Sequence, residues 1–242
     1  MPTSTIVGKA VSAIVMGGVQ RAEPIPHIID IGPGLGSYRR LMGPLLPNTS
    51  WIAVEIWGPY VVAHELSRLY DKVHIADFTC FDFRCVPQGG MAIMGDVLEH
   101  IEKDRALETI GRMMEQVDYT LLSIPVGPWP QGGVYGNPWE EHVHSWLAEE
   151  IQSSFAPWLA GVISHPFAGE QALAVVFLGR TAAGRALLAE NVARAQMIYD
   201  ARKSRLAYCG MEFCPDYREE KVVQQFHKVL GACEAEFTPA AL

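Results

Sequence analysis

Three glycines and an acid stand together in the run Asp30-Ile31-Gly32-Pro33-Gly34-Leu35-Gly36. The apolar stretch His27–Ile31 reads as a strand. Ser37–Leu46, with Tyr38, Leu41, Met42 and Leu45 on one stripe, reads as a helix that Pro47 closes. A strand-to-helix turn of this kind lets backbone pass close to a ligand, and glycine keeps the space that a Cβ would fill. A dinucleotide fingerprint, G-x-G-x-x-G, needs its third glycine at position 37, which is Ser37; here the third glycine is Gly36. An acid two residues before the first glycine repels a pyrophosphate. It suits the amino group of a nucleoside that carries an amino-acid tail, held directly or through water.

Other strand ends supply matching groups. Glu55 closes a second apolar run, Ser50–Ile56, where a carboxylate can accept both hydroxyls of a ribose lying across the strand ends. Ile56 and Trp57 follow as walls for a base. Asp77-Phe78, just past the run Val73–Ala76, offers an acceptor for an exocyclic amine and another apolar wall. Met91–Met94 makes a fourth run, and Gly95-Asp96-Val97-Leu98-Glu99-His100 leads from it into the next helix, placing Asp96 and Val97 beside the amino-acid end of such a ligand.

The elements that position these residues alternate. Short apolar runs separate segments of helical period, Tyr60–Tyr70 and Asp104–Val117 among them, which is the grammar of βαβ units and a parallel sheet. Tyr119–Ile124 is a fifth strand ended by Pro125. Residues 125–139 carry eight glycines and prolines and read as a long loop, a type of segment that tends to be functional. A helix over Ser145–Phe155 and two strands, Val162–Phe167 and Ala172–Leu178, complete a seven-stranded α/β sheet. Residues 1–24 form an N-terminal helix, expected to be amphipathic. Residues 181–242 form an Ala-, Arg- and Glu-rich extension of two helices, Ala182–Leu206 and Tyr217–Cys233, separated by a loop around Gly210 and Pro215.

On Asp30–Gly36, Glu55, Asp77-Phe78 and Asp96-Val97-Leu98-Glu99-His100-Ile101, residues 25–180 resemble the class I, seven-stranded S-adenosylmethionine-dependent methyltransferases. The resemblance implies a Rossmann-like, mostly parallel sheet of strand order 3-2-1-4-5-7-6 with helices on both faces. It implies S-adenosylmethionine bound at the carboxyl ends of strands one to four by Asp30, Gly32, Gly34, Gly36, Glu55, Ile56, Trp57, Asp77, Phe78, Asp96 and Val97, and transfer of its methyl by in-line displacement, leaving S-adenosylhomocysteine. It assigns no role to the extension after Arg180.

A sulfonium methyl is already activated, so the protein chiefly aligns donor and acceptor, and a base is needed only where the nucleophile carries a proton. The acceptor-side candidates lie in Asn137–Trp146. His142, four residues before Trp146 and so on its face if a helix begins nearby, is the candidate general base, with His144 second to it. Glu140, His142 and His144 also make a conceivable metal set, but no metal site is assigned. Trp129, Tyr135, Trp139 and Trp146 suit an aromatic lid over a flat acceptor. The reading is methyl transfer to an O or N nucleophile of a small molecule. The alternatives are a noncatalytic S-adenosylmethionine-binding module, a protein or peptide methyltransferase, and, against Ser37 and Asp30, a nicotinamide oxidoreductase.

Composition narrows the classes further. The chain has 242 residues, 49% of them apolar, enough for one large core. Its net charge of −8 argues against neutralising a phosphate backbone, so no nucleic-acid partner is expected. No stretch is apolar for the roughly 18–20 residues of a membrane span. The five cysteines, Cys80, Cys85, Cys209, Cys214 and Cys233, are too sparse for a secreted disulfide scaffold and read as free thiols of a cytoplasmic protein, and a zinc site shared by the two x4-spaced pairs is the lesser reading. The C-terminal helices carry apolar stripes that need a partner. A homodimer, or a cover over the acceptor opening, would supply one.

Overall fold

The computed structural model describes residues 6–134, 136–167, 169–208 and 216–235. Seven strands, β1 (His27–Ile31), β2 (Ser50–Glu55), β3 (Lys72–Ile75), β4 (Met91–Gly95), β5 (Tyr119–Val126), β6 (Leu159–Pro166) and β7 (Ala172–Gly179), form one sheet in the order β3-β2-β1-β4-β5-β7-β6. The first five run parallel, and β7 pairs antiparallel with both β5 and β6. β1 and β5 are buried along their whole length, because helices cover both faces of the sheet. The register sets Ile31 beside Val54 and Met94, so the carboxyl ends of β1, β2 and β4 form one rim.

On one face lie α1 (Ile6–Ala22), α2 (Ser37–Met42), α7 (Ala182–Tyr208) and α8 (Glu220–Ala235), whose side chains share a core with Ile28, Trp51, Met91, Leu121 and Phe177 of the sheet. On the other lie α5 (Lys103–Gln116) and α6 (Ala148–Phe155), which pack over Ile29, Ile31, Met94, Leu122 and Val176. Alternating residues of each strand thus feed opposite cores. Asp30, between Ile29 and Ile31, points to the α1 side.

Several elements depart from the sequence reading. α1 is not amphipathic: an almost unbroken run from Ile6 to Val19 is buried, since α7, α8, α2 and the sheet surround it. Gly18 lets α1 approach Asn191 of α7, whose side chain would overlap any Cβ there. The apolar stripes of α7 and α8 find their partner within the chain. Leu188, Ala195, Ile198, Phe226, Leu230 and Cys233 are fully or nearly fully buried, and this layer lies across the sheet from α5. The segment 60–70 is two helices, α3 (Gly58–Ala63) and α4 (Leu66–Leu69), broken where Glu65 takes a left-handed φ of 52°. β5 continues through Pro125 to Val126. β4 pairs only as far as Ser123, so the missing N–H of Pro125 faces an edge with no strand to serve. The helix proposed from Ser145 begins only at Ala148. Gly210, Pro215, Cys209 and Cys214 lie outside the described residues. Cys80 and Cys85 are exposed free thiols and Cys233 a buried one. Among the described residues no helix is long and apolar enough to cross a membrane.

Candidate active site

The carboxyl rim opens into a cavity of about 270 Å³. Its floor is the glycine turn. Gly32 and Gly34 both line it with left-handed backbone, φ 60° and 52°. At Gly32 a Cβ would meet Val97 Cγ2 at 2.8 Å. At Gly34 it would meet nothing within 4 Å and would project into open space. Gly34 therefore marks where a ligand can lie against bare backbone. Gly36 does different work. It does not line the cavity, and with φ 70° it packs under α4, where a Cβ would fall 2.4 Å from Leu69 Cδ2. Gly34→Ala is expected to cost only the roughly 1–2 kcal/mol of a left-handed Cβ in stability, yet to lower affinity for S-adenosylhomocysteine by at least about tenfold, as read by thermal melts and calorimetry together.

Glu55, ending β2, is 3% exposed and lines the cavity. Its Oε1 accepts the Trp57 N–H at 2.8 Å. Burial pushes its carboxyl up, against the backbone N–H groups of Trp57, Gly34 and Ile56, which favour the ionised form. Ile56 lines the cavity beside it. The Trp57 side chain does not, so its role there is to donate backbone N–H and cap α3.

Asp77 and Phe78 line the cavity next to Glu55, whose carbonyl accepts the Ala76 N–H at 2.9 Å. Asp77 is already partly engaged: Oδ1 caps the short helical turn after it by accepting from Thr79 N–H (2.9 Å) and Oγ1 (2.7 Å), and Oδ2 accepts from Arg105 at 3.0 Å. Asp96 and Val97 line the cavity past β4. Asp96 holds a left-handed φ of 57°, and its Oδ1 accepts from Ser123 Oγ at 3.2 Å. A non-glycine residue kept in that region costs of order 1 kcal/mol and persists only where its surroundings hold it.

Asp30 is corrected. It is 1% exposed and does not line the cavity, because β1 turns its side chain to the α1 face. There Oδ2 accepts the Tyr70 hydroxyl at 2.6 Å, and burial raises its pKa to about 7. Tyr70 in turn abuts Gly36, so Asp30 anchors the end of α4 beneath the glycine turn.

The far end of the cavity is built by the long loop. Asn137, Trp139, Glu140 and Val143 line the cavity with Tyr60 and His100. Tyr60 donates to Glu140 Oε1 at 3.0 Å, bridging 80 residues of sequence. The Glu99 carbonyl accepts from the N–H groups of Val143 (2.8 Å) and His144 (3.1 Å), tying the loop to the turn after β4. No helix carries residues 142–146. His142 does not line the cavity; its Nδ1 faces the Trp129 carbonyl at 2.5 Å, and its ring meets that of His100 edge-on with centroids 4.8 Å apart. His144 turns the other way, its Nε2 3.5 Å from Glu150 Oε2 and its ring against Trp146. The aromatic lid reduces to Trp139, which is half exposed over the cavity. Trp146 is wholly buried and stacked on Phe155, Trp129 packs on Phe167, and Tyr135 lies outside the described residues. Tyr60 and Arg105 were not singled out by sequence, whereas Glu99 and Asn137 stood inside runs that were; the loop's density of glycine and proline pointed to Asn137 and gave no signal for Tyr60 or Arg105.

Sheet order, glycine turn and rim cavity together define the class I, Rossmann-like methyltransferase fold. No protein-family model and no curated protein matches the sequence. Among solved structures, the N-terminal domain of EvdMO1 with SAH bound is similar at a TM-score of 0.53 and 15% identity, over 72% of this chain and 81% of that one. The same domain in the presence of SAH and D-fucose gives 0.51 at 13% identity, over 69% and 82%. TehB from Haemophilus influenzae gives 0.50 at 11% identity, over 70% and 62%.

Proposed function

We propose that the chain is an S-adenosylmethionine-dependent methyltransferase whose acceptor is a small molecule with an oxygen or nitrogen nucleophile. The observation that carries this is the continuity of the cavity: Gly34 and Glu55 at one end share it with Tyr60, Asn137 and Glu140 at the other. A noncatalytic binding module needs only the first set. The residues fit the nucleoside. Bare backbone at Gly34 leaves room for it, Glu55 can accept from a ribose, Phe78 and Ile56 wall the base, and Asp96 stands at the amino-acid end. When bound, the sulfonium supplies an activated methyl. The protein's part is to orient the acceptor, exclude water, and receive a proton near Glu140 and His100. The similar EvdMO1 domain is described with SAH bound, which supports the same ligand here.

Calorimetric titration with S-adenosylmethionine, S-adenosylhomocysteine and NAD tests the reading. Binding of the two sulfur nucleosides with no heat from NAD is expected, and the reverse pattern sinks it. Mass spectrometry of a metabolite extract incubated with the protein is then expected to show species heavier by one methyl. Labelled methyl appearing only on protein would replace the small-molecule acceptor with a polypeptide.

A further inference from the structure

Behind the acceptor wall, Glu99, His100 and His142 bring one ligand atom each within 4.8 Å of one another. Glu99 is 1% exposed, and no other residue reaches either of its carboxylate oxygens with a hydrogen bond; only its own backbone N–H approaches the carboxylate. A buried carboxylate with both oxygens unsatisfied is costly unless something answers it. The nearest candidates do not. His100 Nε2 stands 4.0 Å from Glu99 Oε1, beyond hydrogen-bond reach, and Asp96 and Glu140 add like charge.

The histidines are arranged as ligands. His100 Nδ1 faces the Glu141 carbonyl at 3.0 Å and His142 Nδ1 faces the Trp129 carbonyl at 2.5 Å. A carbonyl only accepts, so each Nδ1 carries the proton and the Nε2 of each neutral ring carries the lone pair, with the backbone of Asp96 and Glu140 also close to the His100 ring. Backbone carbonyls commonly fix metal-bound histidines in this way. The backbone braces the set, since Val143 and His144 both donate to the Glu99 carbonyl and His142 N–H donates to Gln131 at 3.0 Å.

We infer that Glu99, His100 and His142 form a site for a divalent transition cation, the two imidazoles favouring zinc, cobalt or iron over magnesium. Three protein ligands leave positions open. His100 also lines the cavity, so the cation stands at the acceptor end, where a bound oxygen nucleophile or water would lose its proton more easily. That role rests on the methyl-transfer reading. The binding site does not.

The test uses the full chain stripped of metal, then dialysed against Zn²⁺, Co²⁺ or Mg²⁺ with metal analysis. One equivalent of Zn²⁺ or Co²⁺ is expected to be retained, with Mg²⁺ lost, and a visible Co²⁺ absorption band is expected to accompany it. Glu99→Gln and His142→Ala should each weaken retention by about 100-fold or more while leaving S-adenosylhomocysteine binding intact, and His144→Ala should change neither. Failure of the folded wild type to retain cation, or equal retention by His142→Ala, overturns the site. Cation held without methyl transfer would instead count against the proposed function, so the two failures are separable. His142→Ala lies in a loop and serves where Glu99→Gln does not fold.

Discussion

Glu55→Ala is expected to weaken S-adenosylhomocysteine binding by about 100-fold or more, with little change in thermal stability. The magnitude follows from what the carboxylate does. Two hydrogen bonds from a ribose to a charged acceptor contribute about 1.5–3 kcal/mol each, and about 2.7 kcal/mol is 100-fold in affinity. Stability moves little because the lost acceptor offsets an energetic cost: a carboxylate 3% exposed is held against the desolvation that pushes its pKa up. Of the three N–H groups that point at it, those of Gly34 and Ile56 belong to residues that line the cavity, where water can reach them once the side chain is gone. Calorimetry at pH 8 separates this from a folding defect. Glu55→Gln should recover part of the affinity, since an amide keeps one acceptor oxygen. As pH falls through the raised pKa, wild-type affinity should decline, because the protonated carboxyl gives up one acceptor site. The Glu55→Gln protein should lack that decline. Equal affinity in wild type and Glu55→Ala would remove Glu55 from the site and with it the main support for a ribose at the end of β2.

Most of this rim was legible in sequence because parallel strands leave a simple trace. Apolar runs of four to eight residues, each ending in Gly or an acid, put Gly32, Gly34, Glu55, Asp77 and Asp96 at strand ends, and the register then brings strand ends together whatever lies between them. Helix packing left no such trace. α1 looks amphipathic in isolation, and only the arrival of α7 and α8 from the far end of the chain explains why Lys9 and Ser12 are buried as well as Val11 and Ile14. The acceptor wall was harder still. Tyr60 and Glu140 meet across 80 residues, and His142 faces His100 because loop N–H groups bond the Glu99 carbonyl. No periodicity encodes those contacts. Spacing misled at His142 and Trp146, which a helix would have set on one face and an extended loop does not. Asp30 misled for a different reason. Its place in the motif suited a ligand's amino group, yet strand alternation turns it to the opposite face from the cavity, and that alternation was readable in Ile29 and Ile31 on either side.

Asp30→Asn is expected to stabilise the protein at pH 8 by about 2–3 kcal/mol relative to its effect at pH 5, and to leave affinity for S-adenosylhomocysteine within about threefold. The sign follows from the shift. Burial raises the carboxyl from 3.8 to about 7, so between those values the folded chain binds a proton that the unfolded chain has released. Stability is therefore full below the lower value and falls as pH rises toward the upper one, at up to about 1.4 kcal/mol per pH unit. Each neighbour is accounted for. Desolvation dominates, the Tyr70 hydroxyl and Lys9 favour the charged form, Glu55 opposes it, and the balance still favours the proton. An asparagine carries no charge to desolvate, and its Oδ1 can still accept from Tyr70, so α4 stays pinned under Gly36. Denaturant melts at pH 5, 6.5 and 8 read the outcome directly: the wild-type stability should slope downward with pH, and the Asp30→Asn curve should be flatter by the amount above. Parallel curves would mean that Asp30 is ionised throughout, held by Lys9, whose ammonium sits 5.4 Å from the centroid of Tyr38 and 5.3 Å from that of Tyr217 in the same buried layer. A large loss of nucleoside affinity in Asp30→Asn would show that the layer beneath the glycine turn sets the shape of the cavity floor as firmly as the residues that line it.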